Sequence, residues 1–595
     1  MTTIEAQRQD IRPARLNDWV APDCHGQNFY ALDHSLRSLL PLYLDDGLRR
    51  HLEPHFDRLG EIAGNRLDDL ARIADRHEPV LHARSHRGVD ADWIEFHPAY
   101  REMEKIGYGE FGIHCMSRRP GVFGWPEKIP AHAKYVFTYL FVQAEFGIMC
   151  PISLTDTSAM LIGRYGSQEI RDRYLPRMHS QDMDSLFRCA QFMTEKPAGS
   201  DVGNVELEAR WEDGHWRLYG EKWFCSSADA DLALLLARPR GAPAGGGGLG
   251  IFLLPRVLED GTRNRYRTVR LKSKLGTRSM ASGEIIFEGA IAHPLGEVQA
   301  GPNQGLKQML DQVNLSRLSH GVRAAGMMRR CLNEAMVVAR SRYQFGETII
   351  RKPLLRRQLM KLMVPTEQAL SMMLYAAQQL DRAEQGDKQA ERLIRILTPV
   401  VKFRACRDNI PVATGAMEVR GGNGYIEDFV NARLIRDAQI GLLWEGTSNI
   451  NALDVTTRAV AKVGAHKDLG AALADRIEAE TAIPGQMRGE LSALTERAVA
   501  FADRVAASGN ETLARRAADA LYNVTSATLM ASEGARIGAA GGDARRLLLA
   551  RMVVRHRLRP QDPVREDNEG DGPVVDAVLS EEPGSLDRAV ELAAG

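Results

Sequence analysis

Glu445 stands inside Trp444-Glu445-Gly446-Thr447-Ser448-Asn449, a carboxylate followed at once by a glycine and two hydroxyl side chains. A carboxylate taken out of water becomes a stronger base, because desolvation disfavours its charged form. In that setting it can remove a proton from carbon. Upstream, Gly421-Gly422-Asn423-Gly424 offers a backbone platform where side chains would obstruct a ligand. It is not a dinucleotide fingerprint, since its spacing differs and no strand clearly precedes it. A third segment, Thr194 to Asp201, contains Ala198-Gly199-Ser200-Asp201. Its small residues, free amides and hydroxyl suit close approach to phosphates or a ring. Taken singly, each has a bland alternative: a solvated helix-start acid, an ordinary turn, a domain crossing.

Trp223-Phe224-Cys225-Ser226 places aromatic rings beside small polar side chains in a strand-like stretch. That pairing suits the face and edge of an isoalloxazine, and equally suits the core of a β domain. Arg342, in Arg342-Tyr343-Gln344-Phe345-Gly346, ends a long helical pattern, where it could hold a pyrophosphate or cap helix carbonyls. Arg317 lies on the same pattern between Leu315 and Leu318, so a partly buried role competes with a surface salt bridge. The histidines, His97 and His114 among them, form no ligand spacing. The seven cysteines (24, 115, 150, 189, 225, 331 and 406) are dispersed without close pairs. Metal catalysis is disfavoured, and the thiols read as reduced, in a cytoplasm.

These residues must be positioned by several domains, because 595 residues exceed what one hydrophobic core organises. Leu36, Leu39, Leu40 and Tyr43, then Tyr135, Tyr139 and Val142, recur at helical spacing, so 1–188 reads as a helical domain. Within it, Trp93 to Tyr100 opens a new segment with Pro98 suited to a helix's first turn. Over 189–298 apolar residues alternate between turns such as Asp213-Gly214, giving a β domain with a flexible loop at 241–250. Four helical patterns over 299–465, near 306–337, 354–385, 390–417 and 447–463, are the ingredients of a bundle. The stretch 466–595 reads as additional helices to about Leu558, then a Pro-, Gly- and acid-rich, partly disordered tail. The charges balance at 77 Lys+Arg and 77 Asp+Glu, which gives no electrostatic reason to expect nucleic acid or membrane. The mixed-charge N-terminus lacks the apolar core of a secretory signal, and no apolar run has membrane-spanning length.

The joint spacing of Thr194–Ser200, Arg342–Phe345 and Gly422–Glu445 resembles the acyl-CoA dehydrogenase family over about 188–454. Phe96-His97-Pro98-Ala99-Tyr100, Cys150-Pro151-Ile152-Ser153, Glu221-Lys222-Trp223-Phe224, Lys352-Pro353-Leu354 and Leu453-Asp454-Val455 resemble its AidB-like, alkylation-response branch. The resemblance implies an α+β fold: an N-terminal α domain, a middle β-barrel domain and a C-terminal four-helix bundle, here with an extra helical region. It implies FAD bound in a homotetramer, with Gln191, Met193, Thr194, Ser200, Trp223, Phe224 and Cys225 lining the flavin. Arg342 and Phe345 would reach a neighbouring subunit's FAD, and Glu418, Gly421, Gly422, Thr447 and Asn449 would complete the cofactor site. Ser200, Asn314, Arg317 and Trp444 would contact the acyl-CoA, with Glu445 as catalytic base. Three departures fall on cofactor positions: Cys225 replaces a usual Thr, and Glu418 and Pro353 each replace a usual Gln.

The expected activity is therefore FAD-dependent α,β-dehydrogenation of an acyl-CoA thioester, with an electron-transfer flavoprotein as oxidant. The rival is a flavoprotein that binds DNA in alkylation protection. Its sequence support is an arginine cluster, Arg536, Arg545, Arg546, Arg551, Arg555, Arg557 and Arg559. Because 466–595 as a whole carries more acid than base, a solvated helix face or a tetramer contact is the better expectation.

Overall fold

The computed structural model describes residues 20–560, 564 and 571–594. It opens with helices α1 (Phe29–Leu32), α2 (His34–Tyr43), α3 (Asp46–Gly64) and α4 (Arg66–Arg76). Asp33 starts α2 by accepting a 2.9 Å hydrogen bond from the Leu36 amide, and Leu36, Leu39, Leu40 and Tyr43 are buried as their spacing requires. A two-stranded hairpin follows, β1 (Val80–Arg84) and β2 (Asp90–Glu95), where a helical pattern was expected. The residues of β2 alternate in exposure from Asp92 to Glu95, and His82 stacks on Trp93 across the pair. Pro98 then begins α5 (Pro98–Glu104) behind the N-cap His97. The helices α6 (Ala131–Val142), α7 (Met149–Tyr165) and α8 (Gln168–Met178) complete this region. Almost every residue of α6 is buried, so its Tyr135, Tyr139 and Val142 mark a fully enclosed helix rather than one face of a surface helix.

Next come β3 (Cys189–Phe192), β4 (Glu208–Glu212), β5 (His215–Ser226), β6 (Leu232–Pro239), β7 (Gly250–Pro255), β8 (Tyr266–Leu271) and β9 (Ser282–Pro294). The long strand β9 pairs with both β5 and β7, and β4 and β6 close the ring between them, so the sheet is a barrel. Its interior is aliphatic, with Leu232 to Ala237 and Gly250 to Pro255 wholly buried. The loop between β6 and β7 is anchored rather than free. Arg238 donates to the carbonyls of Gly245 (3.0 Å) and Gly203 (2.8 Å), which holds the glycines in place.

Three long helices form the bundle, α9 (Gly305–Ser341), α10 (Pro353–Glu384) and α11 (Lys388–Arg420), with α6 packed against α9 and α10. A short hairpin, β10 (Tyr343–Gln344) and β11 (Glu347–Thr348), follows α9. The short helices α12 (Asn431–Ile440) and α13 (Ser448–Asp454) carry the chain back along α11.

The additional region contains α14 (Ala465–Ala479), α15 (Gly485–Ser508), α16 (Ala514–Ala539) and α17 (Arg545–Val553), then α18 (Gly572–Leu579) and α19 (Leu586–Ala594). The last two lie in the tail expected to be partly disordered. Val574, Val575, Val578 and Leu579 are buried, and Arg356 of α10 pairs with Asp576 at 2.5 Å. Residues 561–563, 565–570 and 595 lie outside the described residues.

The arginine cluster is also committed inside the chain. Arg546 is 4% exposed and bridges Glu367 (2.5 Å) and Glu533 (2.9 Å). Glu533 in turn accepts from Tyr43 and Ser371, each at 2.6 Å. One buried network thus ties the N-terminal helices, the bundle and the additional region together. Arg545 pairs with Asp543, Arg555 with Asp571 and Arg559 with Glu490. Arg546 is therefore neither a solvated-face residue nor a subunit contact.

Candidate active site

Glu445 and Gly446 lie in the loop between α12 and α13 and both have positive φ, 55° and 91°. A non-glycine residue in that region is held there by its surroundings. The restraints are visible. Arg317 donates through Nε to the Glu445 carbonyl at 3.1 Å. Lys402 Nζ (2.8 Å) and Asn451 Nδ2 (2.7 Å) both donate to the Gly446 carbonyl. The carboxylate itself accepts a 2.9 Å hydrogen bond from Ser316 Oγ. Burial pushes the Glu445 carboxyl above the usual range, while Ser316 and the cations Arg317, Lys402 and Arg323 pull the other way. The result is a pinned carboxylate of raised basicity.

The surroundings are rich in buried cations. Arg317 pairs with Asp454 at 2.9 Å, and Arg395 engages the same carboxylate at 2.9 and 3.0 Å. Of the two alternatives open for Arg317, the buried one holds. Lys402 is buried and held below the ordinary lysine range, chiefly by desolvation. His320 stands edge-on to Trp444, ring centroids 5.4 Å apart, and its Nε2 accepts from Arg323 at 2.8 Å. Asn314 lies 3.5 Å from an Arg317 nitrogen, a marginal contact. Ser316, His320, Arg323 and Lys402 were not among the residues expected at the site. A signal existed: Ser316, His320 and Arg323 recur at the spacing of one helix face.

The residues expected around a flavin fall into three groups. At the barrel edge, Phe192 of β3 is opposite Cys225 of β5, and the Thr194 carbonyl accepts from the Trp223 amide at 2.8 Å. Glu195 and Lys222 form a buried ion pair at 2.6 Å that holds the turn beyond Thr194. Trp223 is half-buried beneath the Lys272 ammonium, 3.1 Å from its ring centre, while Phe224 is exposed. Met193 is half-buried and Ser200 exposed. Cys225 is wholly enclosed, and burial pushes its thiol up. Gln191 donates to Met309 Sδ at 3.1 Å. That contact puts the barrel edge about 10 Å along α9 from Ser316, at 1.5 Å per residue.

The second group is Arg342, Phe345, Glu418, Gly421 and Gly422. A Cβ on Gly421 (φ +75°) would stand 3.3 Å from Arg342 Nη1, and one on Gly422 would meet nothing. Among the described residues Arg342 forms no ion pair. Phe345 is 89% exposed, and Glu418 is exposed and bonded to Gln358 at 2.8 Å. In the third group, Thr447 ends the Glu445 loop and caps α13, and Asn449 is exposed in the first turn of that helix. The groups suit FAD: a free guanidinium beside two glycines matches a pyrophosphate, and a half-buried indole matches a flavin ring. Among the described residues no cluster of His, Cys, Asp and Glu could hold a metal, and no helix is long and apolar enough to cross a membrane.

Each of these regions is similar to known proteins. Residues 20–185 match the adaptive response protein AidB N-terminal domain, 190–290 the acyl-CoA dehydrogenase middle domain and 303–460 its C-terminal domain. The chain is 32% identical to the putative acyl-CoA dehydrogenase AidB of Escherichia coli K12, over 65% of this chain and 70% of that one. It is 31% identical to acyl-CoA dehydrogenase family member 11 of Caenorhabditis elegans, over 71% and 69%. The crystal structure of C. elegans ACDH-11 in complex with C11-CoA superposes with a TM-score of 0.83 at 25% identity, covering 94% of this chain and 96% of that chain.

Proposed function

The chain belongs to the acyl-CoA dehydrogenase family, in its AidB-like branch, and on that premise we propose that Glu445 is the base of an FAD-dependent acyl-CoA dehydrogenation. The observation that carries this assignment is the Ser316–Glu445–Arg317 arrangement, a carboxylate of raised basicity whose backbone and side chain are both fixed. Glu445 takes the α-proton of the thioester. FAD, when bound, supplies the acceptor for the hydride leaving the β-carbon. As Glu445 is neutralised, Arg317, Lys402 and Arg323 leave a positive field that favours the charge developing on the substrate.

Trp223, Phe224, Met193, Thr194 and Gln191 would hold the flavin end of FAD, with Thr447 and Asn449 beside Glu445. Cys225 would contribute through its backbone, since its thiol is enclosed in the barrel. Ser200, Asn314, Arg317 and Trp444 would face the acyl-CoA. The closeness of Arg342 to Gly421 supports treating Arg342, Phe345, Glu418, Gly421 and Gly422 as one unit that acts on a neighbouring subunit's FAD. Exposed Phe345, Leu354, Tyr425 and Leu443 support a homotetramer that covers them. An electron-transfer flavoprotein is the proposed oxidant. Seven buried, unpaired cysteines support a cytoplasmic setting. The DNA-binding reading is not favoured, because Arg545, Arg546, Arg555 and Arg559 already engage acidic partners within the chain.

The test is Glu445→Gln in the FAD-loaded protein. The amide cannot accept a proton, so acyl-CoA should bind without bleaching the flavin anaerobically. Undiminished bleaching would remove Glu445 from the role.

A further inference from the structure

We propose that Arg323 makes this chain selective for short acyl-CoA thioesters whose acyl group ends in a carboxylate, an inference that rests on the assignment of Glu445 as base. Arg323 is 1% exposed, yet among the described residues no carboxylate pairs with it. Its Nε and Nη1 find no hydrogen-bond acceptor, and its Nη2 donates to His320 Nε2 at 2.8 Å. With Nε2 accepting, the His320 proton sits on Nδ1, which also has no partner. Burial and the neighbouring cations hold His320 neutral. The pair therefore presents three unmatched donors and one full positive charge. The Cys150 and Cys406 thiols and the Glu445 carboxylate favour the charged guanidinium, but among the described residues none forms an ion pair with it. A buried cation so thinly compensated is costly, so such a residue points to an anion from outside the chain.

The nearby acids are otherwise engaged. Glu445 accepts from Ser316, and Asp454 is held by Arg317 and Arg395. The cluster thus sets Arg317, Arg323, Arg395 and Lys402 against two carboxylates. Its place on the helix gives the direction. Arg323 lies about 10 Å beyond Ser316 along α9, at 1.5 Å per residue, on the same face and with its side chain leaning back towards Ser316. Its guanidinium stands 5.4 Å from the Phe146 ring centre and 5.7 Å from that of Trp444, the residue preceding Glu445. An acyl chain with its α-carbon at Glu445 that runs along α9 passes these aromatic walls and ends at the cation. An apolar chain would leave the cation and donors unmatched; a terminal carboxylate satisfies both.

The experiment compares glutaryl-CoA and adipoyl-CoA with pentanoyl-CoA and hexanoyl-CoA, read as anaerobic flavin bleaching and as calorimetric binding to the non-reducing Glu445→Gln variant. The carboxylated series should be favoured by about tenfold or more, both in bleaching of wild type and in binding to Glu445→Gln. Arg323→Met should reverse the preference without lowering the thermal midpoint, because it removes an unpaired buried charge, and Arg323→Lys should keep part of it. Equal or greater preference of wild type for the plain acyl chains overturns the inference and leaves the dehydrogenase reading standing. A flat ratio, with chloride raising the thermal midpoint of wild type but not of Arg323→Met, assigns the site to an inorganic ion and equally overturns it. Bleaching by neither series overturns the dehydrogenase reading and this inference with it.

Discussion

Ser316, on the long helix α9, donates a 2.9 Å hydrogen bond to the carboxylate of Glu445, 129 residues further along the chain. The bond stabilises the charged form of a group whose burial favours the neutral one. These two effects, with the cations Arg317, Lys402 and Arg323, set the pH at which Glu445 can act as a base.

Removing the donor should therefore shift that pH in a definite direction. In Ser316→Ala the carboxylate loses its partner, its pKa rises further, and the acid limb of kcat moves to higher pH. A hydrogen bond to a charged group contributes about 1.5–3 kcal/mol, so a displacement of about one to two pH units is expected. Rapid-reaction flavin reduction across pH 5–9 measures it. An acid limb that stays in place or moves down would show that Ser316 does not tune Glu445.

Asp437 gives a second, independent pH effect. It is buried at the contact between α12 and the 272–281 loop, where the Thr277 amide donates to it at 2.6 Å. Burial, then the nearby Asp75 carboxylate, raises its pKa to about 7 against an unfolded 3.8, with Glu145 adding to the rise and Arg433 opposing it. Between those values the folded state keeps a proton that the unfolded chain has lost. Stability from this site is thus present at low pH and lost as pH rises towards 7. Asp437→Asn should flatten that slope and gain stability relative to wild type at pH 8. Denaturant titrations at pH 5 and pH 8 check it; parallel losses in both proteins would contradict the assignment.

How far the sequence anticipated this site follows from the range of each interaction. The Glu445 hexapeptide, the Gly421–Gly424 platform and the Trp223 strand are short, so their types and spacing carried the family resemblance directly. The clamp on Glu445 was not legible, because Ser316, Arg317, Lys402 and Asp454 meet only when α9, α11 and α13 pack. Cys225 was expected at a flavin; a register irregularity between Lys222 and Cys225 accompanies its enclosure. The 80–95 hairpin was hidden by its helical surroundings. The α18 and α19 helices were hidden by a composition that argued for disorder. Arg546 looked like surface charge because Glu367 and Glu533, its partners, are distant or unremarkable in sequence.

Arg342 should bear on the cofactor rather than the base. It stands beside Gly421 without an ion pair among the described residues, so Arg342→Gln should leave folding stability nearly unchanged. A charge-assisted contact to a diphosphate is worth about 1.5–3 kcal/mol, which corresponds to roughly 10- to 100-fold weaker FAD binding. Fluorescence titration of the apoprotein with FAD measures it. Undiminished affinity would take Arg342 out of the cofactor site.

The arginine cluster separates the two functional classes. Counterion release makes phosphate contacts steeply salt-dependent, and charge reversal at contacting residues abolishes them. Here Arg545 and Arg555 already pair with Asp543 and Asp571, while the Nε of Arg551, between them in sequence, has no partner among the described residues. Charge reversal at Arg545 and Arg555 should therefore lower the thermal midpoint by setting like charges together, and leave any duplex DNA affinity where it was. Arg546→Ala should be costlier, about 3–5 kcal/mol, since it strands Glu533 in the interior and leaves Glu367 only Arg329. Arg546→Met should do the same, because it too leaves Glu533 without a cation and Glu367 with Arg329 alone. Salt-sensitive DNA binding lost in the Arg545/Arg555 reversal, with the thermal midpoint unchanged, would mean that these arginines face phosphate and that the DNA-binding class had been set aside wrongly.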